Sequence, residues 1–179
     1  MGNRLFITGK PGVGKTKVLM RLVNELLRLN VNVTGFYCPE IRKGGIRTGF
    51  KIISIPSGKE ELLATTEKKS NVKVGKYFVV LNENYVKNLE NEIFAKPDVI
   101  AIDEIGPMEL SVPSLKTLID KVLESDFFVV AVLHRSIKLE GKLIEITENN
   151  RDAVFSQLLD QVLAVLRKNN SSLNLRKNN

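Results

Sequence analysis

Eight residues near the N-terminus, Gly9-Lys10-Pro11-Gly12-Val13-Gly14-Lys15-Thr16, read G-x-x-x-x-G-K-T and follow the short apolar run Leu5-Phe6-Ile7. Glycines in this pattern let backbone N–H groups turn inward around an anion with no Cβ in the way. A helix starting at the end of the segment would aim the positive end of its dipole at the same spot. Together these are the marks of a phosphate-cradling P-loop, in which Lys15 reaches the β- and γ-phosphates and the Thr16 hydroxyl holds Mg²⁺. The expected ligand is a nucleoside triphosphate. The competing reading is a glycine-rich turn that matches by accident. The strand pattern before it and the helix pattern after it weigh against that.

Far along the chain, Asp103-Glu104 closes the apolar run Val99-Ile100-Ala101-Ile102. A carboxylate at the end of a buried strand is the expected partner of the P-loop Mg²⁺, directly or through water. Glu104, beside it, has the chemistry of a general base that orients or deprotonates an attacking water. An ordinary acidic turn is the bland alternative. Phosphoryl transfer needs positioning and charge neutralisation more than covalent chemistry, so one further cation is useful. Arg135 is the candidate for that role in cis. His134 beside it is a candidate γ-phosphate sensor, and Arg42 and Arg47 are further candidates. Each is otherwise readable as a solvent-facing or structurally satisfied side chain. Cys38 reads as a small buried apolar residue rather than a nucleophile. No Asn-Lys-x-Asp motif is present, which argues against a guanine-specific switch. In the segment Thr147–Asp152, Asn150 or Arg151 is placed to contact a base, or an asparagine there to cap the last helix.

The elements that must position these groups are legible in the hydrophobic pattern. Strands are expected over Arg4–Thr8, Val33–Tyr37, Asp98–Asp103, Phe127–Leu133 and Lys142–Thr147. Helical spacing of apolar residues predicts helices over Gly14–Leu29, residues 84–95, Ser114–Glu124 and Arg151–Arg167. Alternating strands and helices argue for a parallel sheet wound on both faces, with ligands at the carboxyl ends of its strands. Residues 38–82 break the pattern. Gly44-Gly45 and Pro56-Ser57-Gly58 separate β-rich stretches at Arg47–Ile55, Glu61–Thr66 and Tyr77–Leu81, which predicts an insert of antiparallel hairpins.

The 179 residues suit one domain with a substantial core, expected over 1–168. From Asn169 the chain is polar and is expected to be disordered. No apolar run approaches the roughly 20 residues needed to span a bilayer. A single cysteine and no signal-peptide pattern fit the cytoplasm. The formal charge is +7, but residues 167–179 hold Arg167, Lys168, Arg176 and Lys177 and no acid, so they supply most of it. With aromatics at 6% and no tryptophan, a nucleic-acid partner is disfavoured. A monomer that binds nucleotides is expected.

The combination of Gly9–Thr16, the insert from Tyr37-Cys38-Pro39-Glu40-Ile41-Arg42 to Gly49-Phe50-Lys51-Ile52-Ile53, the run Asp103-Glu104-Ile105-Gly106-Pro107-Met108-Glu109-Leu110, and Thr147–Asp152 resembles a known family. It is similar to the small nucleoside triphosphatases of thermophiles and to the human cancer-related nucleoside triphosphatase. The resemblance spans about residues 4–166. It implies a RecA-like P-loop domain with an added catalytic glutamate. It also implies Mg²⁺-dependent hydrolysis of ATP, GTP, CTP, UTP and TTP, with weaker action on diphosphates. The family's nucleotide-binding segments carry over onto Gly9, Lys10, Pro11, Gly12, Val13, Gly14, Lys15 and Thr16. They also carry over onto Ile100, Ala101, Ile102, Asp103, Glu104, Ile105, Gly106 and Pro107. Lys10 and Lys17 depart from the usual residues, at positions that hold neither the metal nor the role of the P-loop lysine.

Two other readings compete. A P-loop kinase would pass the γ-phosphate to a small molecule or a nucleic-acid end. It would need an acceptor pocket, usually under an arginine-rich lid helix, and none is evident between residues 103 and 150. A non-enzymatic ATP-dependent switch would want a basic, aromatic-rich face, which the composition does not supply.

Overall fold

A computed structural model describes the backbone of residues 3–177 and the side chains of residues 3–170. In chain order the elements are β1 (Arg4–Gly9), α1 (Lys15–Arg28), β2 (Val33–Tyr37), β3 (Glu40–Lys43), β4 (Ile46–Ile55), β5 (Glu60–Thr65), β6 (Lys73–Val74) and β7 (Tyr77–Val79). They continue with α2 (Glu83–Ile93), β8 (Val99–Ile105), α3 (Pro107–Leu110), α4 (Pro113–Glu124), β9 (Phe128–Leu133), β10 (Lys142–Ile146) and α5 (Arg151–Lys177). The strands form one sheet in the order β10-β1-β9-β8-β2-β4-β5-β7-β6, with β3 paired to β4 off that path. The run β10-β1-β9-β8-β2 is parallel throughout.

The parallel strands are apolar at successive positions because both of their faces are covered. Alternation sorts their side chains by face. Leu5, Ile7, Val99, Ala101, Val130 and Val132 join the core under α1 and α5. Phe6, Ile100, Ile102, Val129 and Ala131 join the core under α2 and α4. The doubly wound α/β arrangement expected from the pattern is therefore present in this half of the sheet.

The insert differs from expectation in one respect. It is antiparallel and built of hairpins, but it is not a separate excursion. Strand β4 pairs with β2 and extends the parallel sheet into an antiparallel half. Gly44 and Gly45, at φ 57° and 78°, close the β3–β4 hairpin with the left-handed pair that a two-residue turn requires. At the junction of the two halves, β2 and β8 approach so closely that a Cβ on Gly35 would lie 1.7 Å from the Ala101 carbonyl oxygen. Gly35→Ala is therefore expected to lose about 3 kcal/mol of stability or fail to fold. Chemical denaturation checks this, and wild-type stability would contradict such close packing.

Helix α5 runs on to Lys177, past Asn169, where composition predicts disorder. Extending an existing helix adds one hydrogen bond per residue without a new nucleus, a gain that composition does not register. Residues 178–179 of that expected tail lie outside the described residues. Among the described residues no helix is long and apolar enough to cross a membrane.

Candidate active site

The G-x-x-x-x-G-K-T segment bridges the end of β1 and the start of α1. Gly12 and Gly14 have φ of 75° and 105°, where a side chain would be strained. Gly14 is the N-cap of α1 and offers no side chain to its first amides, and the first turn holds no acidic residue. The N–H groups and positive dipole end are thus left for an outside anion. Lys15 Nζ reaches back across the loop to the Gly9 carbonyl oxygen at 2.8 Å. Val13 turns into the core beneath.

Strand β8 brings the second half of the site to the same end of the sheet. Its pairing with β9 slips by one residue between Asp103 and Ile105, so Glu104 bulges from the ladder. A bulge re-aims the side chain it carries. The peptide bond between Asp103 and Glu104 is cis. Asp103 is buried, and Glu104 is half-buried. Burial pushes the Asp103 carboxyl up to about 6, a hydrogen bond with Thr16 and the charge of Lys15 pull it down, and Glu104 pushes it up. Those influences require Asp103, Glu104, Thr16 and Lys15 to sit together.

A cavity of about 720 Å³ joins these parts. Pro11, Gly12, Lys15 and Thr16 line one wall, and Asp103, Glu104, Pro107, His134 and Arg135 another. Arg135 is exposed at the rim. Ile100, Ala101, Ile102 and Ile105 do not reach the cavity. They are packed in the two cores and hold β8 in place. The insert supplies a third wall, including Glu40, Arg47 and Phe50. Arg47 is already engaged, donating to the Tyr77 hydroxyl at 2.7 Å and to Glu40 at 3.0 Å. Arg42 lies away from the cavity, bonded to Glu40 and the Gly45 carbonyl.

Asn150 Oδ1 accepts the Thr147 N–H, and its Nδ2 donates to the Glu145 carbonyl. That amide is used within its own loop. The Arg151 side chain lies over Gly14, within 3.3 Å of where a Cβ would stand.

A divalent cation fits the donor set. Thr16 offers a hydroxyl and Asp103 a buried carboxylate hydrogen-bonded to it, with no lysine or arginine among the described residues hydrogen-bonded to that acid. Among the described residues no group of three or more His, Cys, Asp or Glu side chains is arranged to hold a metal. One or two protein oxygens, with phosphate and water completing the shell, is how Mg²⁺ is usually held.

Two residues near the acids entered the sequence reading only through the family resemblance, Gly106 in the carried-over nucleotide-binding segment and Glu109 in the quoted run. A Cβ on Gly106 would crowd two carboxyl groups, meeting Glu104 Oε1 at 2.8 Å and Glu109 Oε2 at 3.2 Å, so one of them must move. Gly106→Ala is expected to displace Glu104 and lower kcat about 10²-fold with nucleotide affinity retained. Steady-state kinetics and equilibrium binding check it. Glu109 is buried beside Asp103 and Glu104. Its place in the run after Asp103-Glu104 was visible, but a glutamate in an apparent loop carries no sign of burial.

A family model described as NTPase matches residues 4–159. The nucleoside-triphosphatase THEP1 of Sulfolobus acidocaldarius is 52% identical over 168 residues, spanning 93% of this chain and 96% of that protein. The protein of the same name from Methanocaldococcus jannaschii is 38% identical over 175 residues, spanning 92% and 99%. The crystal structure of THEP1 from the hyperthermophile Aquifex aeolicus superposes with a TM-score of 0.71 at 29% identity, covering 89% of this chain and 98% of that one. The solution structure of a human cancer-related nucleoside triphosphatase gives 0.72 at 25% identity, covering 91% and 98%.

Proposed function

The chain belongs to this NTPase family, and on that premise we propose that it hydrolyses nucleoside triphosphates to diphosphate and phosphate with Mg²⁺, with little preference among bases. The carrying observation is that Lys15 and Thr16 share one cavity with Asp103 and Glu104. The amides of residues 9–16 and the Lys15 ammonium hold the β- and γ-phosphates. Thr16 and Asp103 hold the metal, which supplies charge neutralisation on the phosphate oxygens. Glu104 orients the attacking water and takes its proton. Arg135, at the rim, faces the charge that develops on the γ-phosphate.

One feature supports broad base use: Asn150 spends one acceptor and one donor position of its amide within its own loop. One observation favours a second reading. The cavity continues to the insert wall at Glu40 and Phe50, leaving space for an acceptor molecule, as a kinase would require.

Phosphate release from ATP, GTP, CTP, UTP and TTP, with and without Mg²⁺, separates these readings. The proposal expects comparable Mg²⁺-dependent rates with water as the only acceptor. Negligible phosphate release in water, with diphosphate formed and the phosphoryl group recovered on an added small-molecule or nucleic-acid acceptor, would favour the kinase.

A further inference from the structure

Arg151 opens α5, and its side chain folds onto the P-loop. Its Cδ, Nε and Cζ stand 3.3, 3.4 and 3.8 Å from the point where a Cβ on Gly14 would be. The missing side chain of Gly14 leaves that space to the arginine. Both neighbours of Arg151 in sequence are tied down. Asn150 bonds to Thr147 and Glu145, and its carbonyl oxygen accepts the Val154 N–H in the first turn of α5. Asp152 pairs with Arg21 at 2.8 Å, and that guanidinium also covers the Phe155 ring at 3.9 Å. Between these two anchored residues, Arg151 has no hydrogen-bond or ion-pair partner among the described residues.

Strand order fixes which part of a bound triphosphate passes there. Strand β1 lies between β10 and β9, with β8 beyond β9. Asp103 and Glu104 come from β8, and Arg135 follows β9, so the γ-phosphate end belongs on that side of the P-loop. A polyphosphate with its γ end there runs back across the loop toward β10. Arg151 follows β10 and is absent from the lining of the cavity that Lys15, Thr16, Asp103 and Glu104 share. It stands past the phosphates, where the nucleoside leaves them.

We propose that Arg151 binds the nucleobase, its guanidinium plane stacked on the face of the base. This rests on the reading of residues 9–16 as a triphosphate site. A guanidinium is planar, always charged and weakly hydrated, so it packs well on aromatic faces. Every base has such a face, and stacking on it is blind to base identity. One side chain of this kind holds all nucleotides alike, whereas hydrogen bonds to a base edge would select among them.

An ion pair with a phosphate is the other use an arginine here could have. Two observations favour the base. The phosphate cavity already holds Lys15 and Arg135. The two terminal nitrogens of Arg151, which would grip a phosphate, lie farther from the Gly14 Cβ point than Cδ, Nε and Cζ do.

The test is titration calorimetry of wild type, Arg151→Ala and Arg151→Lys in Mg²⁺. The ligands are non-hydrolysable analogues of ATP, GTP, CTP and UTP, and inorganic tripolyphosphate, which has the phosphates and no base. Arg151→Ala should weaken all four nucleotides by about 3–30-fold and leave tripolyphosphate affinity unchanged. Arg151→Lys keeps the charge without the plane and should not restore nucleotide affinity. Unchanged nucleotide affinity in Arg151→Ala, or a loss confined to one base, would overturn the proposal. An equal loss on tripolyphosphate that lysine restores, the mark of a phosphate contact, would overturn it too. A wild type that binds neither nucleotide nor tripolyphosphate would overturn the triphosphate reading and this proposal with it. That result is distinct from a wild type that binds both and variants that bind as it does, which defeats the role of Arg151 alone.

Discussion

Glu104→Gln is expected to bind nucleoside triphosphate as wild type does and to lose a factor of about 10²–10⁴ in kcat. The amide keeps the size and shape of the carboxylate, so the bulge in β8 and the packing over Gly106 survive. Glutamine cannot accept a proton from water, the step we propose for the bulged side chain. Residual turnover would come from phosphate positioning and charge neutralisation alone. Equilibrium binding of a non-hydrolysable triphosphate, beside phosphate release from ATP, reads both quantities. Undiminished kcat would remove Glu104 from the chemistry. Lost binding would mean that it serves the ground state instead.

Lys15→Ala is expected to act differently, abolishing tight binding and turnover together. The ammonium closes the loop by donating to the Gly9 carbonyl at 2.8 Å, and residues 9–16 hold no acid to compete for it. A triphosphate offers it a far stronger, charged acceptor at nearly the same place. Removing one side of such a pair leaves phosphate charge uncompensated inside the site, a loss of about 2–5 kcal/mol. Affinity should fall by about 30-fold to 5 × 10³-fold. Isothermal titration with a non-hydrolysable triphosphate tests it, and wild-type affinity would contradict the assignment of the loop.

The parts of this site that local pattern encodes were readable in the chain itself. The P-loop needs glycines at set positions and a lysine–threonine pair, and the buried strand ahead of Asp103 needs continuous apolar residues. Both requirements fall on neighbours in sequence. The rest depends on pairings between distant segments. Hairpin turns marked the insert, but only the register of β4 on β2 joins it to the parallel sheet and makes it a cavity wall. Arg42 and Arg47 looked alike as candidates. Their separation comes from Arg47 lying against Phe50 and Tyr77 while Arg42 hooks back to the hairpin turn. Helix α3 spans only four residues, too few to show a period, so neither it nor the burial of Glu109 was legible. The role of Gly106 is likewise spatial: its φ is an ordinary extended one, and what it supplies is room for two carboxylates.

The central claim is most directly tested by crystals of the protein grown with Mg²⁺ and a non-hydrolysable nucleoside triphosphate. The predicted density has the β- and γ-phosphates within the amides of residues 9–16 and the cation between them and the Thr16 and Asp103 oxygens. The Glu104 carboxylate should hold a water facing the γ-phosphorus. A triphosphate bound elsewhere, or a Glu104 side chain turned from the γ-phosphate with the nucleotide in place, would contradict it.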